Sequence, residues 1–231
     1  SAGERAAACA AAEPDSAVAA ACAAGKPPAS LYIEYLDMDS DIRALHADVA
    51  RYPFATHLRG ERRHFWFGNG QTLGKLHFDP FDNLLSPVAG GKHLTLFSPA
   101  ANEELYEGHM REAMLGYDAA SGAVWRRELM ESTSMVNSPV DIEAPADEVA
   151  AAFPAFERAR ARAVRCDVRP GDTLFLPAFH WHEVRSSPDD GRNAAVNSWF
   201  EPFWSKEFPC AACRPTVNPA YDDVLESAVE V

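Results

Sequence analysis

Hydrophobic and polar residues alternate in short runs through the middle of the chain, as expected for β-strands with one face in a core. These runs cover residues 75–85, 92–99, 169–177, 181–186 and 194–200. Proline and glycine separate them, so the chain reverses direction often and over short distances. The pattern predicts an antiparallel barrel or sandwich.

The hydrophobic content is sufficient for one substantial globular core, since 47% of the 231 residues are apolar. We expect residues 31–204 to form the domain, with an insert around 102–165 and a C-terminal tail over 205–231. Residues 1–30 are rich in alanine and proline and show little alternation. We expect them to form a flexible N-terminal segment or part of a truncated N terminus.

Two candidate metal ligands stand two residues apart in one predicted strand. His77 and Asp79 point to the same side, because successive strand side chains alternate between faces. Such a pair alone is weak, since a strand histidine is more often a core or surface residue than a ligand. A third ligand from a distant strand, His182, would complete the 2-His-1-carboxylate face of non-haem Fe(II) enzymes, which leaves coordination positions open for chemistry.

A rival to His182 stands two residues before it. If the strand were continuous, His180 and His182 would share a face, and either ring would reach a metal. Pro177 favours a turn at this point, which would break that simple alternation.

The order of these motifs resembles the jumonji-C, or cupin-like (cupin-8), family of Fe(II)- and 2-oxoglutarate-dependent oxygenases. In that family an asparagine follows the first histidine by six residues, a lysine follows it by fifteen, and the distal histidine stands five residues after a strand-ending proline. The matching residues are His77, Asp79, Asn83, Lys92 and His182. The resemblance covers residues 31–204 and is closest to the small jumonji-C lysyl hydroxylases.

The resemblance implies a fold, a metal and a cosubstrate. The fold would be mainly β with flanking helices, a double-stranded β-helix or jelly-roll barrel. His77, Asp79 and His182 would hold Fe(II), and dioxygen and 2-oxoglutarate would be consumed with release of succinate and carbon dioxide. Lys92 and Tyr32 would contact the cosubstrate. Lys92 would otherwise be interpreted as a surface lysine, but its spacing from His77 matches that of the family.

Two asparagines are further candidates for the pocket. Asn83 and Asn197 would fix the cosubstrate or a metal-bound water from neighbouring strands. Asn197 is flanked by strand-forming residues, so its side chain needs a buried polar partner, which a pocket would supply.

One position departs from the family pattern. The family usually has threonine or serine three residues before the first ligand, where its hydroxyl helps to hold 2-oxoglutarate, and this chain has Gly74. We expect Thr72 to have the wrong orientation to replace that hydroxyl without a bulge. The departure therefore predicts an altered cosubstrate contact.

The net charge of −13 disfavours a polyanionic partner and suits a basic protein or peptide. We therefore expect hydroxylation of a protein side chain, with lysine as a candidate residue. A tRNA-base hydroxylase of the wybutosine type is the first alternative, and RNA is the less favoured substrate. A metal-binding cupin module without catalysis is the second alternative, supported by Gly74, and histone demethylation ranks lower. A homodimer remains an open alternative.

The cysteines inform the expected location. There are five, with one close pair at Cys210 and Cys213. An odd number without framework spacing predicts incidental thiols in a reducing compartment rather than a disulfide framework, and a zinc site would need two further ligands. We expect a cytoplasmic protein, with nucleus and organelle left open, and no segment is long enough to cross a membrane.

Overall fold

A computed structural model of the chain describes residues 32–109, 113–118, 123–128, 136–187, 191–207, 210 and 212–224. For residues 109, 113–118 and 123–128 it describes the backbone only. The predicted N-terminal segment, residues 1–30, lies outside the described residues. No helix within the described part of the chain is long and apolar enough to span a membrane.

Strands dominate the described residues, and the helices are short. The strands are β1 Tyr32–Asp37, β2 Arg62–Gly68, β3 Leu73–Phe78, β4 Asp82–Ala89, β5 Lys92–Phe97, β6 Gly108–His109, β7 Ala113–Asp118, β8 Ala123–Glu128, β9 Val136–Asn137, β10 Val164–Val168, β11 Leu174–Leu176, β12 Trp181–Ser186, β13 Asn193–Phe200, β14 Trp204–Ser205 and β15 Thr216–Val217. The helices are α1 Ala146–Ala152 and α2 Phe156–Arg160, with 3-10 turns at Arg43–Leu45, Pro53–Ala55, Pro99–Ala101 and Pro219–Tyr221.

Two antiparallel sheets form the body of the fold. The first has the order β1-β2-β13-β4-β11, and the second has the order β10-β5-β12-β3-β9-β6. Between β10 and β13 successive strands alternate between the two sheets, as expected for a double-stranded β-helix. Two further two-stranded ribbons, β7-β8 and β14-β15, lie outside these sheets. The mainly β jelly-roll fold predicted from the sequence is confirmed.

Alternation along β3 separates the core from the site. Leu76 and Phe78 are buried on one face, in a cluster that includes Trp181 of β12, Phe156 of α2 and Val149 of α1. Burial of each large apolar side chain contributes about 1.5–3 kcal/mol. Helices of this length are marginal in isolation, so α1 and α2 depend on this packing. At this end of β3 the opposite face carries His77, and the strand register shifts between Gly74 and His77, so the alternation is not continuous to the start of the strand.

The turn before β12 is fixed by one buried carboxylate. Asp82, at the start of β4, is 3% exposed and accepts a hydrogen bond from the backbone N–H of Ala178 at 2.9 Å and of Phe203 at 3.0 Å. These bonds join the β11–β12 turn, the first sheet and the segment before β14. The backbone that leads into His182 is therefore held from two sides.

Cys210 and Cys213 form a disulfide in the loop between β14 and β15. The prediction that this pair is two incidental thiols is therefore wrong. Cys166 is half-buried and free. The disulfide removes the cysteine argument for a reducing compartment, and a cytoplasmic location stays a prediction.

Candidate active site

Three candidate metal ligands converge at one end of the space between the sheets. His77 of β3 and His182 of β12 are paired in the strand register, and Asp79 follows directly after β3. One ligand atom from each of the three lies within 4.8 Å of the others. Nε2 of His182 is 3.7 Å from Oδ2 of Asp79, and the two imidazole rings are 4.3 Å apart between centroids.

The hydrogen bonds of both imidazoles leave Nε2 of each ring available to bind a metal. Nδ1 of His77 is 2.5 Å from the carbonyl oxygen of Lys75, and Nδ1 of His182 is 2.9 Å from that of His180. A carbonyl can only accept, so each Nδ1 carries the proton and each Nε2 has a free lone pair. Backbone carbonyls commonly orient metal-binding histidines in this way. The donor set of two imidazoles and one carboxylate fits Fe(II).

Burial, reinforced by the neighbouring His77, lowers the pKa of His182 to about 4. The imidazole is therefore neutral near pH 7, which is the form that binds metal.

The structure brings His182, and not His180, to the other two ligands. Strand β12 begins at Trp181, and Phe179 before it has φ of 64°, in the left-handed region. The backbone N–H of His180 donates to the carbonyl oxygen of Pro177 at 3.2 Å, which places His180 in the turn. The turn predicted from Pro177 therefore interrupts the alternation that would have aligned the two histidines.

A buried lysine lies at the other end of the cavity. Lys92 of β5 is 3% exposed, and its Nζ donates to Ser186 Oγ at 3.1 Å and to Tyr32 Oη at 3.4 Å. None of the ion pairs found among the described residues involves this ammonium group. Burial lowers the pKa of Lys92 to about 8 and raises the pKa of Tyr32, so the phenol stays protonated. This end of the cavity is suited to an anion.

One cavity of about 290 Å³ connects the two ends. It is lined by all seven site residues predicted from the sequence, which are Tyr32, His77, Asp79, Asn83, Lys92, His182 and Asn197. The polar partners expected for Asn197 are present: its Oδ1 accepts from Trp66 Nε1 at 2.7 Å, and its Nδ2 donates to Asn83 Oδ1 at 3.3 Å. Both amides are therefore held in the cavity wall.

Thr72 faces the cavity, contrary to the sequence-based expectation. Residues two apart in an extended chain point to the same side, so Thr72 has the orientation of Gly74, and both line the cavity. The expectation that Thr72 has the wrong orientation is therefore wrong. No bulge is needed between these two residues.

An aromatic wall, formed by Tyr35, Trp66 and Trp199, also lines the cavity and was missed by the sequence analysis. The ring of Tyr35 lies 4.6 Å from that of Trp66 and 5.6 Å from that of Trp199. Glu34 lines the cavity beside this wall, and both Glu34 and Tyr35 are exposed, which places them at its rim. A signal was available for Trp199, which stands two residues after Asn197 and so shares its face.

Comparison with known proteins gives the family. The profile of the cupin-like domain matches residues 12–206, which is most of the chain. The chain belongs to the cupin-like, jumonji-C family. The oxygenases of this family use Fe(II), 2-oxoglutarate and dioxygen, and the group formed by His77, Asp79 and His182 fits that metal.

Several relatives of the cupin-like domain carry jumonji-C names. JmjC domain-containing protein E of Dictyostelium discoideum is 27% identical over 74% of this chain and 51% of its own length. The bifunctional peptidase and (3S)-lysyl hydroxylase JMJD7 of Homo sapiens is 30% identical over 75% of this chain and 54% of its own. Lysine-specific demethylase 8 of Danio rerio is 36% identical over 52% of this chain and 23% of its own length. The chain thus spans about half or less of the length of these relatives.

Substitution of a proposed ligand should strongly weaken metal binding without unfolding the protein. His77→Ala and Asp79→Ala are each expected to weaken Mn(II) binding more than about a hundredfold, because even loss of an outer partner of a ligand typically costs ten- to a hundredfold. Calorimetric titration with Mn(II) measures this, and thermal unfolding reports the fold. His93→Ala is the matched control, since His93 pairs with Asp167 outside the cavity. Unchanged Mn(II) affinity in either ligand variant would contradict the assignment.

Lys92→Met should weaken 2-oxoglutarate binding roughly ten- to a hundredfold and leave Mn(II) binding intact, because the variant loses a hydrogen bond to a charged group. Lys92 is cationic below its pKa of about 8 and neutral above it. Wild-type affinity should therefore be greatest below pH 8 and fall as the pH rises through that value. Titration with 2-oxoglutarate across pH checks both points. An identical pH profile in the variant would show that another group is responsible.

Proposed function

We propose that this chain is an Fe(II)- and 2-oxoglutarate-dependent oxygenase that hydroxylates a protein side chain, with lysine as the target. One observation carries the proposal: a single cavity holds a 2-His-1-carboxylate face at one end and a buried lysine, with no ion pair found among the described residues, at the other. A metal-only module has no need for the second feature. A dicarboxylate cosubstrate needs both, because one carboxylate meets the metal and the other meets the cation.

The bound Fe(II), with 2-oxoglutarate and dioxygen, would supply the oxidising chemistry that converts a substrate C–H bond to an alcohol and the cosubstrate to succinate and carbon dioxide. The protein would contribute geometry. Lys92 and Tyr32 would donate to the distal carboxylate of the cosubstrate, at a depth where bulk water does not compete. Asn83 and Asn197, held by each other and by Trp66, would present amide groups to the cosubstrate or to a metal-bound water from the cavity wall.

The rim of the cavity favours a cationic side chain. An ammonium or guanidinium group is attracted to the faces of tryptophan and tyrosine rings, and Tyr35, Trp66 and Trp199 line the cavity together. Glu34 adds a negative charge at the same rim. The net charge of −13 would draw a basic protein segment towards the opening. Relatives named as lysyl hydroxylase and lysine-specific demethylase are consistent with such a target.

The alternatives meet specific obstacles. The aromatic wall would also stack a nucleobase, but Glu34 and the overall negative charge repel the phosphates that any tRNA carries. A non-catalytic module was supported by the missing hydroxyl at Gly74. That support weakens because Lys92, Tyr32 and Thr72 line the same cavity and would together offer an ammonium group and two hydroxyls to an anion.

The proposal is tested by measuring succinate formed from 2-oxoglutarate with Fe(II) and oxygen, with and without a library of lysine-bearing peptides. Peptide-stimulated succinate with a mass gain of one oxygen atom on lysine is expected. Loss of methyl groups as formaldehyde from methylated peptides would instead identify a demethylase. Stimulation by tRNA alone would favour the base hydroxylase, and confirmed Mn(II) binding without any 2-oxoglutarate binding would favour the metal-only module.

Glu34→Gln should raise the KM for a lysine peptide about two- to fivefold with little change in kcat, because the variant loses one exposed ion pair. The same peptide with norleucine in place of lysine should not respond to the substitution. Glu103→Gln, an exposed glutamate that does not line the cavity, is the matched control. An equal rise in KM for both peptides would show that Glu34 does not recognise the cation.

A further inference from the structure

A row of hydrogen-bonded polar side chains crosses three adjacent strands at the anion-binding end of the cavity. Thr72 stands directly before β3, Ser186 ends β12 and Lys92 begins β5. Ser186 is paired with Lys92 in the strand register, and its backbone N–H donates to the carbonyl oxygen of Thr72 at 3.0 Å. The three side chains are therefore neighbours across the second sheet.

These side chains are bonded to one another at short range. Thr72 Oγ1 lies 2.7 Å from Ser186 Oγ, and Lys92 Nζ donates to the same Ser186 oxygen at 3.1 Å. All three are deeply buried, with exposures of 7% for Thr72, 2% for Ser186 and 3% for Lys92. Hydrogen bonds among buried groups polarise one another and hold their donors in fixed directions.

The bonds of this row allow its last proton to be donated into the cavity. The ammonium group of Lys92 can only donate, so Ser186 accepts from it and has one hydroxyl proton to give. If Ser186 gives that proton to Thr72, the hydroxyl proton of Thr72 is left for a further acceptor. Of the two hydroxyl residues, Thr72 lines the cavity and Ser186 does not. With that proton order, Thr72 is the last donor of a chain that begins at the buried ammonium group of Lys92.

Gly74 lines the same cavity as Thr72 and has open space where a side chain would stand. A Cβ built on Gly74 would lie 3.7 Å from Cε1 of His77 and 3.8 Å from the carbonyl oxygen of Val184, which are ordinary contact distances. The position would therefore accept a small side chain without strain. Of residues 72 and 74, only Thr72 therefore offers a hydroxyl to the cavity.

We infer that Thr72 is a cosubstrate-binding residue, and that its hydroxyl donates to the same distal carboxylate that Lys92 pairs with, while Ser186 is a positioning residue for both. The inference rests on the proposed function. Because Thr72 and Lys92 bond to one Ser186 oxygen, their polar atoms are close enough for a single carboxylate to contact both. The chain thereby supplies, from residue 72, a hydroxyl that position 74 lacks.

The test is calorimetric titration of 2-oxoglutarate into protein loaded with Mn(II) in place of Fe(II). Thr72→Val keeps the shape of the side chain and removes the hydroxyl, and should raise the Kd for 2-oxoglutarate about tenfold while the Mn(II) affinity is unchanged. Thr72→Ser keeps a hydroxyl and should bind as the wild type does. Thr95→Val is the matched control, because Thr95 is on β5 but does not line the cavity.

A rescue variant separates binding from folding. Gly74→Ser in the Thr72→Val background introduces a hydroxyl on the same side of the chain and should restore most of the lost affinity. With Fe(II) and a peptide substrate, Thr72→Val should raise the KM for 2-oxoglutarate and leave kcat at saturation nearly unchanged.

The outcomes distinguish this inference from the proposed function. A wild-type protein that binds Mn(II) but no 2-oxoglutarate would overturn the proposed function. A wild type that binds 2-oxoglutarate, together with a Thr72→Val variant whose Kd is within twofold of it, would overturn the role of Thr72 alone. Equal losses in Thr72→Ser and Thr72→Val, without rescue by Gly74→Ser, would likewise overturn it, because they would show a packing role.

Discussion

Strand β12 lies between β3 and β5, and its hydrogen-bonded register sets both ends of the site. Its second residue, His182, pairs with His77 of β3. Its last residue, Ser186, pairs with Lys92 of β5. A slip of one residue would turn Glu183 into the cavity and His182 out of it, because strand side chains alternate between faces. The metal face and the anion-binding end therefore form together or not at all, and the core packed behind β3 and β12 stabilises that register.

The second constraint is electrostatic. A lysine that is 3% exposed carries a desolvation cost, which appears as the lowered pKa of Lys92. Two hydroxyl partners reduce that cost without supplying a negative charge. At the far end, Asp79 supplies one negative charge beside the neutral imidazole of His182. A metal cation and a dicarboxylate together would satisfy both ends, so the charges of the cavity are complementary to the pair of ligands rather than to either one alone.

The fold class and the pairing of His77 with Asp79 follow from rules that a sequence contains, whereas the choice of His182 as third ligand came from family spacing. Short alternating runs separated by proline and glycine indicate antiparallel strands, and a period of two places His77 and Asp79 together. Lys92 is different, since no local pattern distinguishes a buried lysine after a turn from a surface one. Its role was predicted from family spacing, and the burial that makes it an anion partner depends on the packing of two sheets. Tyr32 and Asn197 were likewise placed by resemblance and by the need for a buried partner.

The sequence-based predictions failed at residues near positions where the backbone departs from regular strand geometry. Tyr35 has φ of 55° and lies in a bulge between Ile33 and Leu36, so no alternation rule predicts that it meets Trp66 at the cavity rim. Thr72 shows a related error: the register of β3 shifts between Gly74 and His77, not between Thr72 and Gly74, so Thr72 and Gly74 line the same cavity as His77. A side chain in a bulge can be assigned only once the partner strand is known. The substrate-facing rim is therefore harder to read from sequence than the metal face, although both belong to one cavity.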